Sequence, residues 1–365
     1  MSTRSRNIEI PRLLHVGDDG CLRDVAPLLE AHDFDLGCVL VGTGPGPSRL
    51  LAKGVAEGLR RHGVKVIEVT DLSGRLDQAA ALAPTIIEDG VTTAVAVGGG
   101  RVLDTVKLAA ARTDVDFVSV PTAVSNDGIS SPVASLTGRD GARASHGARM
   151  PAGIIVDVEA IGSAPLRTIR AGAGDLLSNL TACQDWRLAD AQGNDRFDAY
   201  AAMIAESAAR PAMDLQDVTS PKAHRVLAEG LVLSGLAMAA AGTSRPCSGA
   251  EHLISHALDA HLAGKAALHG EQVALGTLIS AAAHGVPALD QLRAVYARLG
   301  IPATPEELGL TRADLVEAVV AAPALRPDRW TILSEDRFRD RGVAAALVED
   351  ALGAAPRPTV VGLAS

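Results

Sequence analysis

Aromatic residues are scarce in this chain, and positive charge is not in excess. Phe, Trp and Tyr make up 2% of the 365 residues, and the formal net charge is −9. Proteins that bind nucleic acids need basic surfaces for the phosphates and, for single strands, aromatic rings on which bases stack. The composition therefore argues against nucleic acid as a partner. Hydrophobic residues still reach 47%, as in a globular protein.

Cysteines and long apolar runs are also few. The four cysteines lie far apart without a CxxC pair, which is typical of reduced thiols rather than a disulfide framework; they are Cys21, Cys38, Cys183 and Cys247. The N-terminal segment lacks the apolar core of a signal peptide. The longest apolar run, Gly230 to Gly242, is too short to cross a bilayer and predicts a buried helix. We therefore expect a cytoplasmic protein without membrane insertion.

The first 160 residues alternate between short aliphatic runs and helical patterns. Strand-like runs occupy residues 38–42, 64–70, 92–97, 115–122 and 152–158. This alternation predicts a parallel sheet with helices on its faces. Long Ala-rich helical segments then follow, with breaks near Pro211, Pro246, Gly264, Pro287 and Pro302. We predict an α/β domain over residues 1–161 and an all-α domain over residues 162–365.

A run of three glycines, Gly98–Gly100, joins the strand that ends at Val97 to a strong helical pattern. Bare backbone N–H groups at a helix N-terminus bind anions, and glycines let a phosphate approach closely. The spacing differs from the G-x-G-x-x-G dinucleotide fingerprint, so a tight turn without a ligand is the alternative. The earlier loop "VGTGPGPSR" also lacks the fingerprint, because Pro45 and Pro47 remove two donors.

A polar loop, residues 119–135, follows the next strand at the same predicted sheet edge. Open α/β sheets bind their ligands at the carboxyl ends of the strands. The loop offers a carboxylate and several hydroxyls for that purpose, from Asp127, Thr122, Ser125, Ser130 and Ser131. A solvated turn around Asp127 and Gly128 is the alternative interpretation.

Two histidines, His252 and His256, lie four residues apart and therefore on one helix face. Glu251 precedes the first of them, so the pattern is not the H-E-x-x-H of zinc proteases. Two neutral imidazoles and one carboxylate suit a catalytic divalent metal, and His252, His269 and Asp175 are candidates. The alternative for any single histidine is a hydrogen-bonded helix residue.

His261 fits that alternative, because it lies about 140° around the helix from His256.

Six stretches occur in the same order as in a known superfamily. They are "GGGRVLDTVKLAA", "VSVPTAVSNDGISSPVAS", "GIIVDVEAI", "AGAGDLLSN", "SRPCSGAEHLISHALD" and "LHGEQVALGT". With them the chain resembles the iron-containing (group III) alcohol dehydrogenase and dehydroquinate synthase-like superfamily, and within it the sn-glycerol-1-phosphate dehydrogenase branch. The resemblance implies a Rossmann-like NAD(P) domain, an all-α domain and an active site in the cleft between them.

The resemblance also assigns roles to individual residues. It implies that the cofactor pyrophosphate is held by Gly98, Gly99, Gly100, Arg101 and Val102, and that the nicotinamide side is lined by Thr122, Ala123, Val124, Ser125 and Ser131. It implies metal binding by Asp175, His252 and His269, with Asp175 also close to the substrate. Asp127 is then expected to contact the substrate, and His256 to face it without binding metal.

The implied reaction is the reversible reduction of dihydroxyacetone phosphate to sn-glycerol 1-phosphate by NADH or NADPH. It requires one divalent metal ion, for which zinc is the first choice and iron or nickel the alternatives. Family members commonly carry an acidic residue after the first strand, whereas "VGTGPGPSR" has none and includes Arg49. The sequence therefore excludes neither NADH nor NADPH as the cofactor. We expect a small phosphorylated substrate and a homo-oligomer.

Three alternatives remain beside that reaction. A sibling dehydrogenase would act on another small polar, phosphorylated or phosphonate ketone or aldehyde. A dehydroquinate synthase-like cyclase fits less well, because that branch has Glu where Asp175 stands. A non-catalytic cofactor-binding protein would be expected to have a damaged metal triad.

Overall fold

Eight strands precede the helical half of the chain. The computed structural model describes residues 8–18, 20–262, 267–285 and 288–353. Its strands are β1 (Leu13–Gly17), β2 (Cys38–Thr43), β3 (Lys65–Val69), β4 (Thr93–Gly98), β5 (Asp116–Pro121), β6 (Val133–Thr137), β7 (Arg143–Gly147) and β8 (Gly153–Asp157). Six of them form one parallel sheet in the order β1-β8-β5-β4-β2-β3, while β6 and β7 form an antiparallel hairpin.

The strand order reverses between β2 and β4. From β2 the chain moves to β3 on one side and then returns to β4 on the other. A crevice opens at the carboxyl ends of strands at such a reversal, and ligands bind there in open α/β sheets. The loop after β2 and the glycine turn after β4 both lie at this edge.

Alternate residues of the central strands enter two separate cores, because successive side chains of a strand point to opposite faces. Val39, Val41, Val95 and Val97 pack in one core, with residues of the helices that cover that face of the sheet. Leu40, Ala94 and Ala96 pack in the other core, which continues into the helical half. A sheet buried on both faces explains why its strands are almost continuously aliphatic.

The helices cover the sheet and then form the second half. They are α1 (Val25–Glu30), α2 (Ser48–Arg61), α3 (Leu76–Glu88), α4 (Gly100–Thr113), α5 (Val158–Gly162), α6 (Leu166–Leu177), α7 (Asn179–Ala191), α8 (Ala199–Met213), α9 (Pro221–Ala241), α10 (Ala250–Leu262), α11 (His269–Ala283), α12 (Ala288–Leu299), α13 (Arg312–Leu325) and α14 (Arg341–Leu352). Short 3-10 helices occur as well, one of them at Asp127–Ile129.

Helix α9 is long and apolar enough, by length and composition, to cross a membrane. Its most apolar window is nevertheless 67% buried inside the fold, as in a core helix. The Ser220 side chain accepts a hydrogen bond from Ala223 N, Pro221 occupies the first turn, and Gly242 ends the helix with φ of 67°. These are the ordinary start and stop signals of a helix. The buried helix predicted at residues 230–242 is confirmed as part of α9.

The predicted α/β half and helical half are confirmed, with differences in detail. Strand β1 and the β6–β7 hairpin were not predicted, because both are short and neither follows a strong apolar alternation. Pro211 lies in the last turn of α8, which ends at Met213, so the predicted break near Pro211 is present. Gly264 and Pro287 lie outside the described residues. Every described strand ends by Asp157, while the boundary between residues 161 and 162 stays a prediction.

Candidate metal and nucleotide site

Three predicted metal ligands meet at one point in the helical half. Asp175 is on α6, His252 on α10, and His269 is the first residue of α11. Their ligand atoms all lie within 4.8 Å of one another. The Oδ1 atom of Asp175 is 3.6 Å from His252 Nε2 and 3.8 Å from His269 Nε2. That oxygen is buried and has no hydrogen-bond partner, which is unusual for a buried carboxylate and fits a site that holds a cation.

The far side of each imidazole ring is held by a hydrogen bond. His252 Nδ1 lies 3.1 Å from Glu251 Oε1, and His269 Nδ1 lies 3.0 Å from Ser255 Oγ. Ser255 in turn donates to Gln272 Oε1 at 2.7 Å, so its oxygen is left to accept from His269. With a metal bound, both rings would carry the proton on Nδ1 and present the Nε2 lone pair to the point they share with Asp175 Oδ1. Such outer hydrogen bonds orient the histidines of metal sites.

The charges in this cluster favour a cation. Burial favours the neutral form of His252, but the nearby Asp175 and Glu251 carboxylates together outweigh burial and raise its pKa to about 10. Burial and the charge of His252 hold the pKa of His269 well below its ordinary value. The carboxylates of Asp175 and Glu251 therefore stabilise positive charge between the two imidazoles. A divalent metal ion would provide that charge. The donor set fits such an ion.

The polar loop after β5 packs directly against the cluster of Asp175, His252 and His269. Asp127 N donates to Asp175 Oδ2 at 3.0 Å. A Cβ on Gly172 would lie 1.7 Å from Val124 O, and one on Gly270 would lie 2.1 Å from Ala171 O. These glycines let α6 and α11 approach the loop and each other. Burial, then the nearby charge of Asp175, raises the pKa of Asp127 to about 7.

A buried ion pair on α4, Lys107 with Asp104, binds both the Asp127 loop and the β6–β7 hairpin. Lys107 is 1% exposed and donates to Asp104 Oδ1 at 3.0 Å, and to Gly128 O and Val133 O at 2.8 Å. The second oxygen of Asp104 accepts from Ser135 N at 3.0 Å. All three lysine protons and both carboxylate oxygens are used, as a buried pair requires. This pair was missed because the helix "RVLDTVKLAA" shows only a polar stripe.

The glycine turn leaves a backbone cradle at the sheet edge. Gly99 precedes α4 and Gly100 begins it. Within the described part of the chain, a Cβ on Gly99 would meet nothing within 4 Å, and one on Gly100 would approach only Asn126, at 3.8 Å. The turn thus offers open space at a helix N-terminus, which suits a pyrophosphate. Thr122 N donates to Gly98 O at 3.0 Å and joins this turn to the polar loop.

The remaining predicted cofactor residues differ in what they present. Arg101 is exposed, and Thr122, Ala123 and Ser125 are half-buried. The side chains of Val102, Val124 and Ser131 are buried, so only their backbone could face a ligand. Ser130, predicted to offer a hydroxyl, donates it to Leu231 O at 2.9 Å instead.

His256 lies beside the cluster of Asp175, His252 and His269 and is not part of it. Its ring stacks on that of His269, with centroids 6.0 Å apart and an interplanar angle of 26°. Burial lowers the pKa of His256 to about 4, and the charges of His252, Arg326, Arg143 and Arg329 act in the same direction. His261 lies elsewhere and contacts Asp314, 3.4 Å away.

A family model and two solved structures show what this chain resembles. A family model described as iron-containing alcohol dehydrogenase matches residues 16–165. The fold resembles glycerol dehydrogenase from Schizosaccharomyces pombe (TM-score 0.77, 20% identity, 96% of this chain and 91% of that one). It also resembles sulfoacetaldehyde reductase from Bifidobacterium kashiwanohense, solved with NAD+ (TM-score 0.71, 19% identity, 96% and 99%). The fold is thus that of the iron-containing alcohol dehydrogenases.

Sequence relatives narrow the class to one branch. The glycerol-1-phosphate dehydrogenase (NAD(P)+) of Hyperthermus butylicus is 40% identical over 339 residues, which are 90% of this chain and 93% of the relative. That of Methanosarcina mazei is 38% identical over 330 residues, 89% and 91% of the two chains. The chain belongs to the glycerol-1-phosphate dehydrogenase family.

Proposed function

We propose that this protein catalyses the reversible reduction of dihydroxyacetone phosphate to sn-glycerol 1-phosphate with NADH or NADPH. The observation that carries the proposal is the partnerless Asp175 Oδ1, which faces two imidazole nitrogens next to an open glycine cradle. Relatives that cover about nine-tenths of the chain bear the name of this activity. A complete triad also argues against a non-catalytic role.

The site residues have three proposed roles, which are metal binding, orientation of the metal-binding imidazoles and proton transfer. Asp175, His252 and His269 hold a divalent metal, zinc first, which would supply Lewis acidity to the ketone oxygen. The cofactor would supply the hydride. Glu251 and Ser255 keep the two imidazoles in the tautomer that leaves Nε2 free. Asp127 contacts the substrate, and the neutral imidazole of His256 relays a proton from solvent to the former ketone oxygen, accepting on one ring nitrogen and donating from the other.

The cofactor spans the edge of the sheet from the glycine turn toward β3. Gly98–Gly100, Arg101 and the backbone of Val102 receive the pyrophosphate, and Thr122–Ser125 with Ser131 border the nicotinamide. A cavity of about 220 Å³ near the ends of β2 and β3 is lined by Thr43, Arg49, Lys53 and Thr70, among others. Arg49 pairs with Asp71 at 2.6 Å. Its guanidinium suits a 2′-phosphate and the carboxylate suits ribose hydroxyls, so we propose that both cofactors are accepted.

The decisive experiment measures oxidation of NADH and of NADPH with dihydroxyacetone phosphate, before and after chelation. Turnover that disappears with chelator and returns with Zn²⁺ is expected. The variant with His252→Ala and His269→Ala should lose bound metal by elemental analysis while keeping its far-UV circular dichroism. Full metal content in that variant would refute the assigned ligands, and turnover insensitive to chelation would refute metal dependence.

The cysteines, which lie outside the proposed active site, indicate in which cell compartment the protein works. All four cysteines are free thiols, which matches a reducing compartment. We propose a cytoplasmic enzyme that acts on a small phosphorylated substrate as a homo-oligomer. Light scattering of the purified protein measures the last point directly.

A further inference from the structure

A chain of hydrogen bonds runs between α10 and α11 and ends at the proposed metal ligand His269. Ser255 and Asp259 lie four residues apart on α10, and His269 and Gln272 lie three apart on α11, so each pair occupies one helix face. Ser255 and Gln272 are both 0% exposed. Because bulk water does not reach either side chain, partners within the fold decide where each of their protons lies.

The side-chain amide of Gln272 has only one suitable orientation. Its Nε2 lies 3.1 Å from Asp259 Oδ1 and 3.2 Å from the carbonyl oxygen of Ala267. Carboxylate and carbonyl oxygens accept hydrogen bonds, so both neighbours require the NH2 group on this side. The opposite orientation would place Oε1 against two other oxygens. Gln272 Oε1 therefore points to Ser255, and both amide protons are used.

The amide of Gln272 in turn fixes the direction of the Ser255 hydroxyl. Ser255 Oγ lies 2.7 Å from Gln272 Oε1 and 3.0 Å from His269 Nδ1. A hydroxyl has one proton, and an amide oxygen can only accept, so the proton of Ser255 goes to Gln272. Ser255 Oγ then offers the ring a lone pair, which matches a proton on His269 Nδ1. His269 Nε2, 3.8 Å from Asp175 Oδ1, keeps its own lone pair for a cation.

We propose that Gln272 and Asp259 are positioning residues that set the tautomer of His269 before a metal binds. This inference rests on the proposed function and extends the orienting role of Ser255 to two residues further along the chain of hydrogen bonds. Without an acceptor at Gln272, the Ser255 hydroxyl would be free to rotate and donate to His269 Nδ1. The ring proton would then lie on Nε2, the atom that must bind the metal.

Gln272→Met tests the proposal, because it keeps the length of the side chain and removes its oxygen and its NH2 group. Nitrogen-15 NMR of the full-length, histidine-labelled and zinc-free protein distinguishes the protonated ring nitrogen from the bare one. The signals of His269 are those that disappear in His269→Asn. We expect the proton on Nδ1 in the wild type and on Nε2 in Gln272→Met. The affinity for Zn²⁺, measured against a chromophoric chelator, should fall about 10- to 100-fold.

Asp259 gives a milder pair of variants, because it is half-buried at the far end of the chain of hydrogen bonds. Asp259→Ala removes one of the two acceptors that hold the Gln272 amide, and should lower the affinity for Zn²⁺ about 2- to 10-fold. Asp259→Asn keeps a side-chain oxygen that can accept, so it should restore the affinity. An Asp259→Ala protein with weakened and an Asp259→Asn protein with restored zinc affinity would support the proposal even if Gln272→Met did not fold.

Removal of the Ser255 hydroxyl separates this role from a merely structural one. In Gln272→Met the hydroxyl is harmful, because it donates to the ring nitrogen that should carry the proton. The double variant with Gln272→Met and Ser255→Ala should therefore bind Zn²⁺ more tightly than Gln272→Met alone, whereas lost packing would make it the weaker binder. Gln78→Met is the matched control with unchanged zinc affinity, because Gln78 also bonds a serine and a backbone carbonyl, but on α3.

Turnover of dihydroxyacetone phosphate separates failure of this inference from failure of the proposed function. If the wild type does not reduce this ketone but the tautomer of His269 changes in Gln272→Met, the proposed function fails and the positioning role stands. A proton on His269 Nε2 in the wild type would overturn the inference. So would a Gln272→Met protein that keeps the wild-type tautomer, whatever its affinity for Zn²⁺.

Discussion

Replacing Gly172 with Ala should damage the site through packing alone. A Cβ at this position would lie 1.7 Å from Val124 O, half of the 3.4 Å at which ordinary contact begins. The clash is with backbone on both sides, so no side chain can rotate away to relieve it. Helix α6, which carries Asp175, and the loop that carries Asp127 must therefore separate.

The expected cost of this separation has two parts. Overpacking of a tight interface costs about 1–3 kcal/mol of unfolding free energy, measurable by chemical denaturation of the holoenzyme. A shift of about 1 Å in reacting groups costs about 100-fold in rate, so kcat/KM with dihydroxyacetone phosphate should fall by that order. Metal content should be measured in parallel, because Asp127 N would lose its bond to Asp175.

Gly54→Ala is the matched control. Gly54 lies inside α2, and a Cβ there would meet nothing within 4 Å among the described residues. Ala is favoured over Gly in a helix, so this variant should gain up to about 1 kcal/mol. A Gly172→Ala protein with unchanged stability and unchanged kcat/KM would refute the close approach of α6 to the loop.

Three further changes test other parts of the site. Glu251→Gln keeps the shape of a buried side chain but removes its charge, and should weaken metal binding about 10- to 100-fold in competition with a chromophoric chelator. Arg49→Ala should weaken binding of NADPH about tenfold more than binding of NADH, as measured by nucleotide fluorescence titration. Lys107→Met leaves a buried carboxylate unpaired and should lower the unfolding free energy by about 3–5 kcal/mol in a denaturant titration.

Each of these changes has a control and a contradicting result. Glu206→Gln, on the α8 surface, should not change metal affinity, and equal affinities for the two Glu variants would contradict an orienting role of Glu251. An unchanged NADPH to NADH ratio in Arg49→Ala would exclude the cavity as a 2′-phosphate site. Lys53→Met, at an exposed pair, is the comparison for Lys107, and equal stabilities would contradict a structural role for the buried pair.

Local sequence patterns predicted most of the α/β half. The strands around residues 38–43, 65–69, 93–98 and 116–121 are short aliphatic runs that a sheet covered on both faces requires. Their pattern and the glycine turn predicted a phosphate cradle at the sheet edge, and this role of the turn stays a prediction. The three proposed metal ligands were predicted from ordered motifs rather than from spacing, because they come from three helices and no local period relates them.

Only the tertiary structure revealed which groups support that site. The sequence by itself indicated a two-part α/β and helical protein, an anion-binding turn and a set of histidines with one carboxylate. It did not reveal the Lys107–Asp104 pair, the bonds from Glu251 and Ser255 to the histidines, or the bonds from Arg329 to Ser244 and Ser248. Several of the supporting contacts join residues distant in the chain, such as Lys107 with Val133 and Arg329 with Ser248. Local periodicity reports which face of an element is buried, whereas partners across the fold are set only when helices and loops pack.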